Sequence, residues 1–96
     1  MTFAAVQDIK GGDWDTYEKI VAEMGVDGDA PAGLIVHVAG EVEDGTRIID
    51  VWESEQAYEE FLSTRLRPAS DRVLAGRERP ASVPPEIMQV KHLLRP

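Results

Sequence analysis

Residues 33–53, GLIVHVAGEVEDGTRIIDVWE, hold two apolar, β-branched runs with Asp44-Gly45 between them. That dipeptide predicts a β-hairpin, because a type I′ turn needs positive φ at both central positions. With Asp44 and Gly45 as the turn, Ala39 falls opposite Asp50, Val38 opposite Val51 and His37 opposite Trp52. Strand side chains alternate with a period of two. Leu34, Val36, Val38, Val42, Ile49 and Val51 therefore share one face, and Ile35, His37, Ala39, Ile48, Asp50 and Trp52 the other. A one-residue slip would scatter the apolar set over both faces, and that cost specifies the register.

Flanking patterns complete the fold. Thr2 to Ile9 is short and apolar and ends at Lys10-Gly11-Gly12, a first strand and its turn. Asp13 is placed to cap a helix whose Trp14, Tyr17, Ile20, Val21 and Met24 recur at three- and four-residue spacings, and Gly25 stops it before the loop VDGDAPAG. Ser54 can cap a second helix with Ala57, Tyr58, Phe61 and Leu62 as its buried stripe. Pro68 is expected to interrupt that helix, with a further short helix over Ser70 to Ala75 closed by Gly76. RERPASVPPE reads as an extended loop and Glu86 to Leu94 as a last strand.

The order β-α-β-β-α-β predicts a ferredoxin-like α+β domain over residues 1–96, a four-stranded antiparallel sheet with its helices on one face. The all-aliphatic hairpin face, with Val36, Val38 and Val51, is the expected side for the helices. The face with His37, Asp50 and Trp52 would then be bare in one protomer, and Ile35, Ile48 and Trp52 would make an apolar patch that calls for a cover.

Composition narrows the partners. Eighteen acidic against ten basic residues give a net charge of -8, which opposes binding to nucleic acid and to anionic membranes. The absence of cysteine removes disulfides, thiolate chemistry and Cys-based zinc sites. No stretch has the length of a bilayer span and the N-terminal residues do not read as a signal peptide, so a cytoplasmic protein is expected. A single domain of this size exposes much of its surface and is often helped by forming a homodimer. His37, His92 and Asp50 lack the close spacing of a metal cluster, Gly11-Gly12 is too short for a phosphate loop, and no serine sits in a nucleophile elbow. No metal and no cofactor are expected. The acidic run Glu53, Glu55, Glu59 and Glu60 reads as a solvated helix face.

The stretch GLIVHVAGEVEDGTRIIDVWESEQAYEEFLSTRLRPA, followed by VKHLLRP, resembles the dimeric α+β-barrel superfamily, and within it small bacterial proteins similar to the antibiotic-biosynthesis-monooxygenase type. That resemblance implies two sheets packed face to face in a homodimer, with a pocket in each protomer. The activities it implies include cofactor-independent oxidation of aromatic polyketides, haem degradation, rearrangement of small carbon skeletons and plain ligand binding. Haem-degrading relatives share an asparagine, a tryptophan and a helical histidine; this chain has no asparagine, and both of its histidines fall in predicted strands.

Three readings follow. The leading one is a protein that binds a hydrophobic or aromatic small molecule. The second is a cofactor-independent monooxygenase or related enzyme acting on an aromatic or polyketide-like substrate. There His37 would be the base, Asp50 would orient it, and Trp52, with Ile35 and Ile48, would hold a flat substrate. The third is a structural dimerisation module in which the histidine face is the interface. Asp50 needs a partner if it is buried, and His37, Arg47 or an arginine of a second protomer can supply it. His92 belongs either beside His37 or at the rim of the sheet. Trp14, Tyr17, Tyr58 and Phe61 are read as helix packing residues.

Overall fold

A computed structural model describes residues 1–77 and 84–96. The elements run β1 (Phe3–Lys10), α1 (Trp14–Met24), β2 (Leu34–Val42), β3 (Gly45–Trp52), α2 (Glu55–Phe61), a π turn (Leu62–Leu66), α3 (Arg67–Val73) and β4 (Glu86–Gln89). The strands form one antiparallel sheet in the order β2-β3-β1-β4, and the helices lie on one face of it, the expected ferredoxin-like α+β arrangement. Both helix starts follow the local signals: the Asp13 carboxylate accepts from Thr16 N–H at 2.9 Å, and Ser54 Oγ from Ala57 N–H at 3.1 Å. Among the described residues no helix is long and apolar enough to cross a membrane.

The hairpin turn is Glu43-Asp44, not Asp44-Gly45. Val42 pairs with Gly45, so His37 lies opposite Asp50 rather than Trp52. Gly45 serves a close approach instead of a turn: at φ 152°, a Cβ there would stand 2.1 Å from the Ile9 carbonyl oxygen. The Asp44 carbonyl in turn accepts from Gly11 N–H at 2.7 Å, which ties the hairpin tip to the β1–α1 turn. A two-residue change of register keeps every side chain on its face. A bulge between Leu34 and Val36 does not, and it brings Leu34 opposite Trp52.

The larger correction concerns which face the helices cover. Trp52 is 1% exposed, and with Phe3 and Ala5 of β1 it forms a core against Leu34, Ala57, Tyr58 and Phe61. Val36, Val38, Val42 and Ile49, predicted to be the buried face, are exposed, Val38 at 54%. Ring geometry gives the reason. Tyr58 meets Phe3 edge-on at 5.4 Å, and Trp52 packs tilted against Tyr58 and Phe61 at 5.7 and 5.2 Å. Aromatic side chains bury roughly 150–250 Å² each, far more than a valine, and such pairs add to that burial. Of the polar residues on this face, His37 and Asp50 hydrogen-bond to one another and the Thr46 hydroxyl donates to the Gly12 carbonyl, so their burial leaves these groups paired.

Pro68 does not break the helix. Arg67 N–H bonds to the Leu62 carbonyl five residues back, and this wider π turn lets the chain run on into α3, where Pro68 occupies the first turn. The last strand is shorter than expected. It ends at Gln89; Val90 N–H still reaches the Thr2 carbonyl at 3.1 Å, and beyond it His92 is exposed and outside the sheet. Of the predicted loop RERPASVPPE, residues 78–83 lie outside the described residues.

Candidate functional site

On the covered face the sheet and α1 do not close completely. Between them, bounded by the loop that follows α1, lies a cleft of about 710 Å³. Trp14, Tyr17 and Val21 project into it from successive turns of α1, Leu34 and His37 from β2, Trp52 from β3 and Phe61 from α2. Glu18 and Asp27 also line it. Arg65, on the π turn, holds the loop in place by donating to the Met24 carbonyl at 2.9 Å and the Asp29 carbonyl at 2.7 Å. Arg72 of α3 pairs with Glu23 of α1 on the outside.

One hydrogen-bonded chain runs through the cleft wall. His37 Nδ1 is 2.5 Å from Asp50 Oδ1, and His37 Nε2 is 2.6 Å from Tyr17 Oη. Because His37 and Asp50 are cross-strand partners, the sheet itself sets the first contact; Tyr17 comes from the facing helix. An ionised Asp50 only accepts, so Nδ1 carries the hydrogen that it receives, and in neutral His37 the Tyr17 hydroxyl donates to Nε2. The Tyr17 ring stacks on Trp14 at 4.8 Å and lies nearly parallel to the His37 ring, at 5°. Its position is therefore fixed from two sides.

Electrostatics follow this geometry. The hydrogen bond that His37 donates to Asp50 raises the His37 pKa above its usual 6.5, with burial opposing the shift and the charges of Asp50 and Asp27 adding to it. Burial raises the Tyr17 pKa, and Asp50 and Asp27 raise it further. Tyr58 is raised in the same way, by burial first and then by Asp50. Asp50 has 9% of its side chain exposed against 36% for His37, so the imidazole connects a buried carboxylate to an open site.

Of the residues singled out from sequence, the structure brings His37, Asp50 and Trp52 together and leaves the others apart. Ile35, at the bulge, and Ile48, nearer the hairpin tip, are half-buried and outside the cleft wall; His92 is remote from it. Asp50 takes His37 as its partner, whereas Arg47 pairs with Asp8 at 2.7 Å on the opposite face of the sheet. Tyr17 and Trp14, read as packing residues, prove to line the site. The available signal was a hydroxyl on the apolar stripe of α1, facing a strand that carries a histidine. Trp52 Nε1 is buried and has no hydrogen-bond partner among the described residues, an uncommon state for an indole N–H. No three histidine, aspartate or glutamate side chains among the described residues are grouped to hold a metal ion.

Comparison with solved structures finds the same overall α+β fold. No family profile and no curated protein matches the sequence. A candidate antibiotic biosynthesis monooxygenase from Chloroflexus aurantiacus J-10-fl is 15% identical, with a TM-score of 0.66 over 99% of this chain and 98% of that one. SnoaB, a cofactor-independent oxygenase from Streptomyces nogalater, is 18% identical, with a TM-score of 0.60 over 97% of this chain and 94% of its own. A monooxygenase from the gene ActVA-Orf6 of Streptomyces coelicolor, solved with the ligand Nanaomycin D, is 22% identical, with a TM-score of 0.51 over 99% and 91%. The chain has the fold of antibiotic-biosynthesis-monooxygenase-like proteins.

Proposed function

We propose that the protein binds a small, flat, hydrophobic molecule in the cleft beside Trp52, as a cytoplasmic homodimer whose protomers meet through the uncovered valine face. The observation that carries this reading is the cleft itself, about 710 Å³ with mainly aromatic and aliphatic walls, the Tyr17–His37 pair and the carboxylates of Glu18 and Asp27. Small-molecule sites typically span roughly 300–1,000 Å³ and combine apolar walls with a few fixed polar groups. The neighbours named for oxygenase activity and for a bound ligand are consistent with a small-molecule site.

A second reading, a cofactor-independent monooxygenase or related enzyme acting on an aromatic or polyketide-like substrate, is favoured by the Tyr17, His37, Asp50 chain. A pure binding pocket has no need of a histidine backed by a buried carboxylate. Titration with 1-naphthol, followed by tryptophan fluorescence, tests both. Binding should quench the emission, since Trp14 and Trp52 both line the cleft. Flat titrations across a panel of naphthols and naphthoquinones would rule out the site. His37→Ala then separates the two readings: a binding protein should keep most of its affinity, whereas an enzyme should lose oxygen consumption with an oxidisable naphthol.

A further inference from the structure

In the observed geometry, the atom that a base would use is already engaged. His37 Nε2 is held by Tyr17 Oη at 2.6 Å, and Nδ1 by Asp50 at 2.5 Å, so the imidazole has no free nitrogen to offer a ligand. The Tyr17 oxygen can still make a further hydrogen bond, because a hydroxyl has one hydrogen and two lone pairs and only one of these is used toward His37.

We propose that Tyr17 is the residue that meets a ligand hydroxyl, and that it passes the ligand's proton on to His37, so that the cleft holds a phenol or enol as its anion. The inference rests on the cleft being a ligand site and adds the group that touches the ligand. The step balances without a co-reactant. The ligand O–H bond breaks and its proton forms a new O–H bond on Tyr17. The original Tyr17 hydrogen moves to His37 Nε2, leaving a ligand oxyanion that accepts from Tyr17 and an imidazolium paired with Asp50. No tyrosinate is required as a separate species. This matters because Tyr17 is surrounded by burial and negative charge that hold its phenol protonated.

The charges around His37 fit this direction of transfer. Asp50 of β3 and Asp27 of the loop after α1 both favour the imidazolium, and Tyr17 of α1 is its only other hydrogen-bond partner among the described residues. Glu18 and Asp27 in the cleft wall, with no lysine or arginine among the described residues that line it, oppose entry of a ligand already ionised. The ligand class is thus a neutral hydroxyaryl or enol that ionises after binding. Transfer within the site leaves its total charge unchanged.

The test uses 4-nitrophenol, whose anion absorbs visible light and whose neutral form does not, titrated with pH in the presence of saturating wild-type protein. The bound probe should ionise at a lower pH than the free probe. Tyr17→Phe, which keeps the ring and its stack on Trp14, should still bind the probe but raise its ionisation pH by about one unit, a tenfold loss of bound anion at fixed pH. His37→Gln should do the same, which keeps the test sound if one variant folds poorly by circular dichroism. The proposal is overturned if the wild-type protein binds the probe without lowering its ionisation pH, or if Tyr17→Phe preserves the lowering. Absence of any fluorescence change on adding probe would instead remove the cleft as a ligand site, and this proposal with it.

Discussion

The two faces of the sheet are both rich in apolar residues, and only one of them is covered. On the covered side, Phe3, Ala5, Thr46, Asp50 and Trp52 are each less than a tenth exposed. On the bare side, Val36, Val38, Val42, Ile49 and Met88 are exposed. The contrast shows that hydrophobicity alone does not choose the face that helices cover. Volume and ring geometry choose it, since Phe3 and Trp52 fill the space against Tyr58 and Phe61 where a row of valines would leave gaps. The same side tolerates a carboxylate and a histidine because each supplies the other's hydrogen bond. The bare side is mainly aliphatic, with Asp8 and Arg47 paired at one end.

Trp52→Ala should break this contrast most strongly. It removes the central ring of the covered face, and truncations of that kind cost about 3–5 kcal/mol. Urea unfolding would measure the loss, and a change near zero would mean that Trp52 is not the core of the covered side. His37→Ala should cost less, about 1–3 kcal/mol, because it leaves the buried Asp50 without its hydrogen-bond partner.

The same pair predicts a pH dependence. The His37 pKa is raised in the folded protein, so the folded state binds more protons than the unfolded chain over that interval. The stabilisation is fully present below His37's ordinary 6.5 and is lost as pH rises through the higher folded value. Unfolding midpoints taken on either side of neutrality should show the decline in the wild-type protein and its absence in His37→Gln. A decline of equal size in the variant would assign it to other groups.

Val38→Asp should have the smallest effect on the protomer. Exposed substitutions usually fall within about 0.5 kcal/mol of neutral. If the bare face is the homodimer interface, the variant should nevertheless sediment as a folded monomer where the wild-type protein sediments as a dimer. A wild-type monomer, or a dimer that survives the change, would move the interface elsewhere.

Local chemistry was legible wherever it depends on near neighbours. Asp13 and Ser54 cap the helices that the periodicity predicts, Gly25 closes the first one, and the sharing of a face by His37, Asp50 and Trp52 follows from strand alternation. Asp44-Gly45 matches a hairpin rule on local grounds, yet the turn lies at Glu43-Asp44, because Gly45 is needed for its approach to Ile9, a residue far away in sequence. Pro68 reads locally as a break because a proline opposes a regular helix; the π turn before it lets the chain go on. The spacing of Tyr17 in α1 is that of a packing residue, and it is one, stacked on Trp14. Its hydrogen bond to His37 exists only because α1 lies across β2.

Sequence by itself determined the kinds of element, their order, the α+β arrangement that these allow and the sharing of one strand face by His37, Asp50 and Trp52, since each depends on backbone periodicity and on contacts close along the chain. Tertiary structure decided which face the helices cover, the partner of Asp50 and the place of Tyr17 at the end of the His37 chain. These depend on how aromatic volumes from distant segments fit together, and no local pattern records that fit.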